Sequence, residues 1–538
     1  MQAVLARRRA AAHAALLREP PVPPAGRGRG VPGRARRVRD RGAPCAPGRC
    51  VPRAGHRLPC RARRRILPKA PHVLPPIRRL LADFAAGRST PVDLLARCHG
   101  AIDEHDGTLN ALPTRRDRAA CLAEAEHAQR AIAAGEPVGL LAGLPYVAKD
   151  IFDTAGLRTT LGSPIFADRV PEVDAPGVRR LREAGAVLIA KSNTPEFAAG
   201  SQTFNPVLGA TRNPYDTSRT VGGSSGGAAA ALAAGMTVVA DGSDLAASLR
   251  NPASFCGVVG MRPSTRLDPT LSDGPNGFDL MSTIGPLARS VDDCRIVHSA
   301  LFEPAAHRPL DAWLGHLEAR RATRAPGSLR LAWSADVGGV PLAAPVRETF
   351  MRAIDALRAA GVTLVEAHPD FDGADESFMT LRGLYFVEWL GELYTRERAR
   401  MKDTVVWNIE QGLALDASAI ARAQRLRSTV FRRVAAFMAD VDAFLLPTVQ
   451  VLPFPLDVPF PTEVDGVPLV NYVDWLKTCY WISASAHPAV SVPCGRARDG
   501  ASAPLPVGLQ LVGRWNGDAA LLDVAEAVET VLAPLNAA

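Results

Sequence analysis

The sequence predicts an α/β protein in which helices cover a largely parallel sheet. Two observations carry this reading. Residues 329–333 and 362–365 are short apolar runs, and the stretch between them places Val346, Phe350, Ile354 and Leu357 at helical spacing. Upstream, apolar runs at 146–148, 186–190 and 237–240 alternate with helical patterns at 174–184 and 227–235. In chain order, residues 77–86 and 91–104 read as amphipathic helices, the second preceded by Ser89 and Thr90 as cap candidates. Residues 119–134 read as a third helix. Late strands are expected at 443–446, 489–492 and 507–512, then a closing helix with Leu521, Val524, Val528 and Leu532 on one face. No internal repeat and no Pro/Gly-rich linker divides residues 76–538, which predicts one large domain.

At 538 residues, 47% hydrophobic and 22% charged, the composition is that of a folded soluble protein. The longest stretch of apolar and small residues, 226–240, is too short to span a bilayer, so no membrane partner is expected. The formal net charge of +9 belongs to one end of the chain. Residues 1–70 carry 18 Arg and one Lys against Glu19 and Asp40, a net of +17, and the remainder carries a net of −8. The folded body is therefore mildly acidic, which argues against a nucleic-acid partner for it. The tail, residues 1–75, is built from Arg, Ala, Pro and Gly and is expected to be disordered. It lacks the Ser of a transit peptide, the apolar core of a secretory signal and aromatic residues that would stack on bases. It is read as a non-functional segment, with a mis-assigned start as one origin. Nine scattered cysteines without a CxxC point to reduced thiols in a cytoplasmic protein. No HExxH or close pair of ligand histidines occurs, so no metal or other cofactor is expected.

The chemistry lies in one segment. Gly222-Gly223-Ser224-Ser225-Gly226-Gly227 is followed by small residues and then by Gly242-Ser243-Asp244-Leu245-Ala246-Ala247-Ser248-Leu249-Arg250. Two small-residue loops thus flank a helix–strand unit, and such loops allow a concave array of backbone N–H donors. A phosphate-binding loop would need GxxxxGK followed by Ser or Thr, and a dinucleotide fold would need GxGxxG after a strand; both are absent. A Ser–His–Asp hydrolase would need GxSxG with a supported downstream histidine, and His298, His307, His316, His368 and His487 have no such context. A lone GGSSGG would ordinarily be a structural turn.

Its company changes that reading. The two loops, with Ser248 placed 24 residues after Ser224, resemble the amidase signature family, as does the upstream run GLPYVAKD at 143–150. Further blocks of the same likeness are DTAGLRTTLG at 153–162, AKSNTPEF at 190–197, GATRNPYDTSRTVGGSSGG at 209–227, GPLARSV at 285–291 and PVGLQLVG at 506–513. The resemblance runs from about residue 76 to the C-terminus. It implies an α/β/α layered fold around a central mixed, largely parallel sheet. It assigns Ser248 as nucleophile, Ser224 as a bridging serine after a cis peptide bond, and Lys149 as general base. It also assigns the backbone N–H groups of Leu245, Ala246, Ala247 and Ser248 as the oxyanion hole. A serine hydroxyl is a weak nucleophile until a base takes its proton, and a lysine can serve only when burial makes it neutral. Ser225, Asp244 and Arg250 are read as supporting the loop, and Lys191 as structural. One departure stands out. Where the family has Gly-Gly before the nucleophile, this chain has Ala246-Ala247. A positive φ at 247 would cost about 1–2 kcal/mol and leave the site strained or slow.

The implied reaction is hydrolysis of a small carboxamide through an acyl-enzyme on Ser248. Alternatives are the glutamine-hydrolysing component of a tRNA-dependent amidotransferase and an impaired family member that acts as a binding protein. WISASAHPAVSVP at 481–493 looks more like free-standing members; a homodimer is left open. Residues 370–481 form the variable region and contain Tyr385, Trp389, Tyr394, Trp407, Tyr472, Trp475, Tyr480 and Trp481. They are read either as lining for an apolar or aryl amide or as helix-core packing.

Overall fold

In the computed structural model, which describes residues 74–265, 281–500 and 502–537, the chain builds an eleven-stranded mixed sheet. The first strands are β1 (Thr114–Arg115), β2 (Pro145–Lys149), β3 (Val187–Ser192), β4 (Phe204–Asn205), β5 (Gly209–Ala210) and β6 (Val239–Asp244). Then come β7 (Val259–Arg262), β8 (Thr283–Ala288), β9 (Arg330–Trp333), β10 (Thr363–Glu366) and β11 (Ala443–Pro447). The last are β12 (Glu463–Val464), β13 (Val467–Pro468), β14 (Ala489–Ala497) and β15 (Leu505–Val512). β4 pairs only with β5 and β12 only with β13; the others form the sheet in the order β1-β3-β2-β6-β8-β7-β14-β15-β11-β9-β10.

The sheet is the mixed one that was expected, and its parallel part lies in two blocks. β3-β2-β6 and β11-β9-β10 run parallel, each built around the strand–helix–strand units read from the sequence. Between the blocks, from β6 through β8, β7, β14 and β15 to β11, every pair is antiparallel. β7 and β8 gave no apolar run because glycines interrupt them. The reason is space: a Cβ on Gly260 would lie 2.4 Å from the Leu249 carbonyl oxygen, and one on Gly285 would lie 2.4 Å from that of Met261.

Helices cover both faces. On the β9–β15 half, helix Ala344–Ala359 buries Val346, Phe350, Ile354 and Leu357, and helix Asp518–Ala537 buries Leu521, Val524, Val528 and Leu532. Helix Ala417–Phe437 closes the opposite face through Val430 and Val434. On the β2–β6 half, helix Ile77–Ala85 meets the sheet on one side. Helices Pro91–Leu109, Arg118–Ala133 and Gly226–Ala233 meet it on the other. Thr90 is the cap: its hydroxyl accepts from Asp93 N, and the Asp93 carboxylate accepts from Thr90 N, both at 3.0 Å. That helix runs past the expected end at 104 and stops at Asn110, in the left-handed conformation at φ 52°.

The described residues from Leu74 onward belong to one compact unit. The expectation for the tail lies outside the described residues up to 73. Leu74 is buried, and Arg289 donates to the Leu74 and Pro75 carbonyls, so the ordered body reaches back slightly beyond 76. Residues 370–481 contribute helices Ala374–Glu397 and Asp403–Leu413, most of the other elements after β10, and β11 of the sheet itself.

Phe350 is fully buried in the cluster formed by helix Ala344–Ala359 and the sheet. Phe350→Ala is expected to lower unfolding stability by about 3–5 kcal/mol, read as a lower denaturant midpoint at unchanged slope.

Candidate active site

Neighbouring parallel strands bring the chemistry together. β2 ends at Lys149 and β6 ends at Asp244, with Tyr146 opposite Val239 and Val147 opposite Ala240. The strand read at 237–240 therefore continues through Asp241, Gly242 and Ser243, so the start of the second loop is strand. The carboxyl ends of adjacent strands are where open α/β sheets form their clefts. Here Lys149 Nζ donates to Ser224 Oγ at 2.7 Å and to Ser243 Oγ at 3.0 Å. The Gly223–Ser224 bond is cis. Ser224 is buried while Ser248 is only half-buried, and Ser225 N donates to the Ser248 carbonyl at 3.2 Å, which ties the loops to each other.

Small residues are obligatory here. A Cβ on Gly242 would stand 2.5 Å from Ser225 Oγ and 2.8 Å from Leu249 Cδ2. Gly222 has φ 72°, and a Cβ there would meet Asn251 Oδ1 at 2.5 Å. Asn251 in turn donates to the carbonyls of Ser201 and Gly223, so the GGSSGG loop is held from the helix that follows Ser248.

Burial dominates the electrostatics of Lys149. It has no exposed surface, and desolvation holds its ammonium down to about 7, while the nearby Asp241 and Asp244 carboxylates pull the other way. Asp241 was not singled out in the sequence, nor was Tyr146. The Tyr146 hydroxyl donates to one Asp241 oxygen and Lys149 N donates to the other at 2.7 Å. Burial raises Asp241 to about 6. The available signal was an acidic residue placed directly after an apolar strand run, beside a motif rich in glycine. Lys191 is also buried, and its ammonium contacts the Phe152 carbonyl and Thr154 Oγ1 rather than either serine.

The turn from Leu245 to Ser248 is fixed from behind. Both Asp244 oxygens bind Arg250, at 3.0 Å from Nε and 2.9 Å from Nη2, and Leu249 N also donates to the carboxylate. Burial alone would raise the Asp244 pKa, but Arg250 and Arg262 hold it below the usual carboxylate range. Arg250 further donates to the Ala246 carbonyl, so the turn's acceptors are engaged on the buried side. Among the described residues, the N–H groups of Leu245, Ala246, Ala247 and Ser248 have no hydrogen-bond acceptor. Four unpaired donors in a row beside a half-buried serine are suited to holding a negatively charged oxygen.

The expected strain at Ala246-Ala247 is absent. Neither residue has a positive φ. Their methyl groups instead join an apolar cluster with Phe255, Phe378, Trp475 and Tyr480. That cluster also decides the aromatic question for part of residues 370–481. Trp475 is fully buried and stacked on Phe255 at 5.9 Å, and Tyr480 is stacked on Phe378 at 4.6 Å, so both are core. The histidines weighed for a triad lie elsewhere: His298 faces Asp518, His316 packs on Trp313, and His487 contacts Ser485. Ser225 Oγ has no partner among the described residues; its contribution is its backbone and its close fit to Gly242.

Gly242→Ala is expected to push Ser225 and the Leu245–Ser248 turn apart. Activity should fall by about a hundredfold or more, a change comparable to losing an oxyanion donor, with a melting temperature only a few degrees lower. Steady-state kinetics beside a thermal melt would check this.

Comparison with known proteins follows the same line. The amidase family model matches residues 93–522. The acylamidase of Rhodococcus erythropolis is 32% identical over 461 residues, covering 84% of this chain and 94% of that protein. A glutamyl-tRNA(Gln) amidotransferase subunit of Moorella thermoacetica is 35% identical over 460 residues, covering 80% of this chain and 90% of that protein. A crystal structure described as an amidase superposes with a TM-score of 0.72 at 27% identity, covering 85% of this chain and all of that one.

Proposed function

The chain belongs to the amidase family and is an amide hydrolase, and on that premise we propose that it works through an acyl-enzyme on Ser248, with Ser224 and Lys149 moving the proton. The observation that supports this most directly is the 2.7 Å hydrogen bond from the buried Lys149 ammonium to Ser224 Oγ. In its neutral form Lys149 accepts a proton from Ser224, which takes one from Ser248 as that oxygen attacks the carbonyl carbon. The N–H groups of Leu245 to Ser248 hold the oxyanion. The same relay returns the proton to the departing nitrogen, which leaves as ammonia or an amine. Water then attacks the ester on Ser248, its proton follows the same path, and the carboxylate departs. Ser225, Asp244 and Arg250 keep the two loops in place and do not touch the reacting atoms.

A second reading, the glutamine-hydrolysing component of a tRNA-dependent amidotransferase, draws support from the Moorella relative. Co-purification of the native protein with partner chains would select it. The reading as a binding protein without turnover rested on strain at Ala247, and the backbone there is unstrained.

Treatment with a fluorophosphonate followed by intact-mass analysis tests the central reading. One adduct is expected on the parent chain and none on Ser248→Ala, and Lys149→Met should label about 10²–10⁴-fold more slowly. An unlabelled parent chain would overturn it. Because the neutral lysine is the base, kcat/KM should rise with pH through about 7. Asp241→Asn removes a charge that favours the ammonium, so this limb should move to lower pH.

A further inference from the structure

Arg382 lies on helix Ala374–Glu397 and is only 5% exposed, yet no carboxylate faces it among the described residues. Three other buried arginines are paired with carboxylates: Arg250 and Arg262 with Asp244, and Arg295 with Asp523. A buried charge without a counter-ion is costly, and its neighbours here are all neutral. Nε donates to Asn408 Oδ1 at 2.8 Å, and Nη2 donates to the Tyr472 hydroxyl at 2.6 Å. The guanidinium also lies over the Phe386 ring at 5.0 Å.

The hydrogen-bond inventory of this cluster is one-sided. Asn408 uses its oxygen for Arg382 and its amide N–H groups for the Thr404 carbonyl and Tyr472 Oη. Tyr472 Oη accepts twice, from Arg382 and from Asn408, which leaves its own proton to donate. Among the described residues Arg382 Nη1 has no acceptor, and neither does that proton. What remains is a set of donors carrying a net positive charge, with no free acceptor. A neutral partner would satisfy some of the donors; only an anion also meets the charge.

The position of the cluster connects it to the reaction. Leu245, the first residue of the nucleophile turn, packs against two apolar clusters, one containing Tyr472 and Trp407 and the other containing Phe386. Arg382 contacts Tyr472 of the first and Phe386 of the second, so it stands on the seam that Leu245 bridges. We propose that Arg382 and the Tyr472 hydroxyl bind a carboxylate carried by the substrate, so that the enzyme acts on amides of acidic molecules, such as monoamides of dicarboxylic acids. This rests on the reading of Ser248 as the nucleophile of the same site.

The test compares matched pairs of amides with the full chain: the monoamides of succinic, glutaric and adipic acid against butyramide, valeramide and hexanamide. The parent chain should favour at least one acid over its neutral partner by tenfold or more in kcat/KM. Arg382→Met should cost that acid about 10- to 100-fold, mainly in KM, and at least ten times more than it costs the neutral partner. Arg382→Lys should restore part of the difference. Tyr472→Phe, which keeps the ring packing, should weaken the acid selectively. No preference for any acid in the parent chain would overturn the carboxylate site. So would equal losses on both members of a pair with a lowered melting temperature, because that is the signature of a merely structural arginine. Fluorophosphonate labelling of the same samples separates the two readings. A labelled Ser248 without acid preference removes this inference alone, and an unlabelled one removes the reading beneath it as well.

Discussion

The buried contact between Asp244 and Arg250 is the constraint on which the site depends. Neither side chain has solvent exposure. A buried pair of this kind is weak evidence for net stability, but removal of one partner leaves an uncompensated charge worth about 3–5 kcal/mol. Its structural effect is larger than its energetic one. Asp244 ends β6 and Arg250 begins the next helix, so their contact closes the turn between them and faces its carbonyls inward. The N–H groups of the turn are then left facing away from the protein's own acceptors. A row of unpaired donors thus arises from satisfying one ion pair.

A second constraint is the lack of room. Lys149, Lys191 and Asp241, on the neighbouring strands β2, β3 and β6, and Asp150, directly after β2, are all buried. Close packing leaves little room around this part of the sheet: a Cβ on Gly222 would meet the Asn251 side chain, one on Gly242 the Ser225 and Leu249 side chains, and one on Gly260 the Leu249 backbone. The same burial lowers the basicity of Lys149. Dense packing and a lysine of lowered pKa are therefore one physical fact, and a larger side chain at any of these glycines would disturb both.

Much of this was legible in the sequence, for identifiable reasons. Thr90 could be read as a cap because capping is local. Ser224, Ser248 and Lys149 were singled out by the resemblance of their surrounding blocks to a known family, and the fold brings Lys149 within hydrogen-bond distance of Ser224. β7 and β8 could not be read, because Gly260 and Gly285 are there to be thin and carry no hydrophobic signal. Helix Ala374–Glu397 was hidden because residues from several of its faces are buried, which blurs the helical period. Asp241 and Tyr146 escaped notice because their importance comes from pairing across strands, 95 residues apart. The concern over Ala246-Ala247 was a question about φ, and only the folded backbone answers it.

Arg250 also bears on biosynthesis. Besides Asp244, its guanidinium binds the Cys479 carbonyl, Ser483 and Gln510, which lie 229, 233 and 260 residues further along the chain. A nascent polypeptide that has already emerged with Lys149, Ser224 and Ser248 still lacks these acceptors. Its Arg250 has no complete set of partners until the last strands have left the ribosome and joined the sheet. The turn that carries Ser248 therefore gains its full support only when translation is nearly finished, and a prematurely released chain would carry Lys149, Ser224 and Ser248 without the late acceptors that hold that turn.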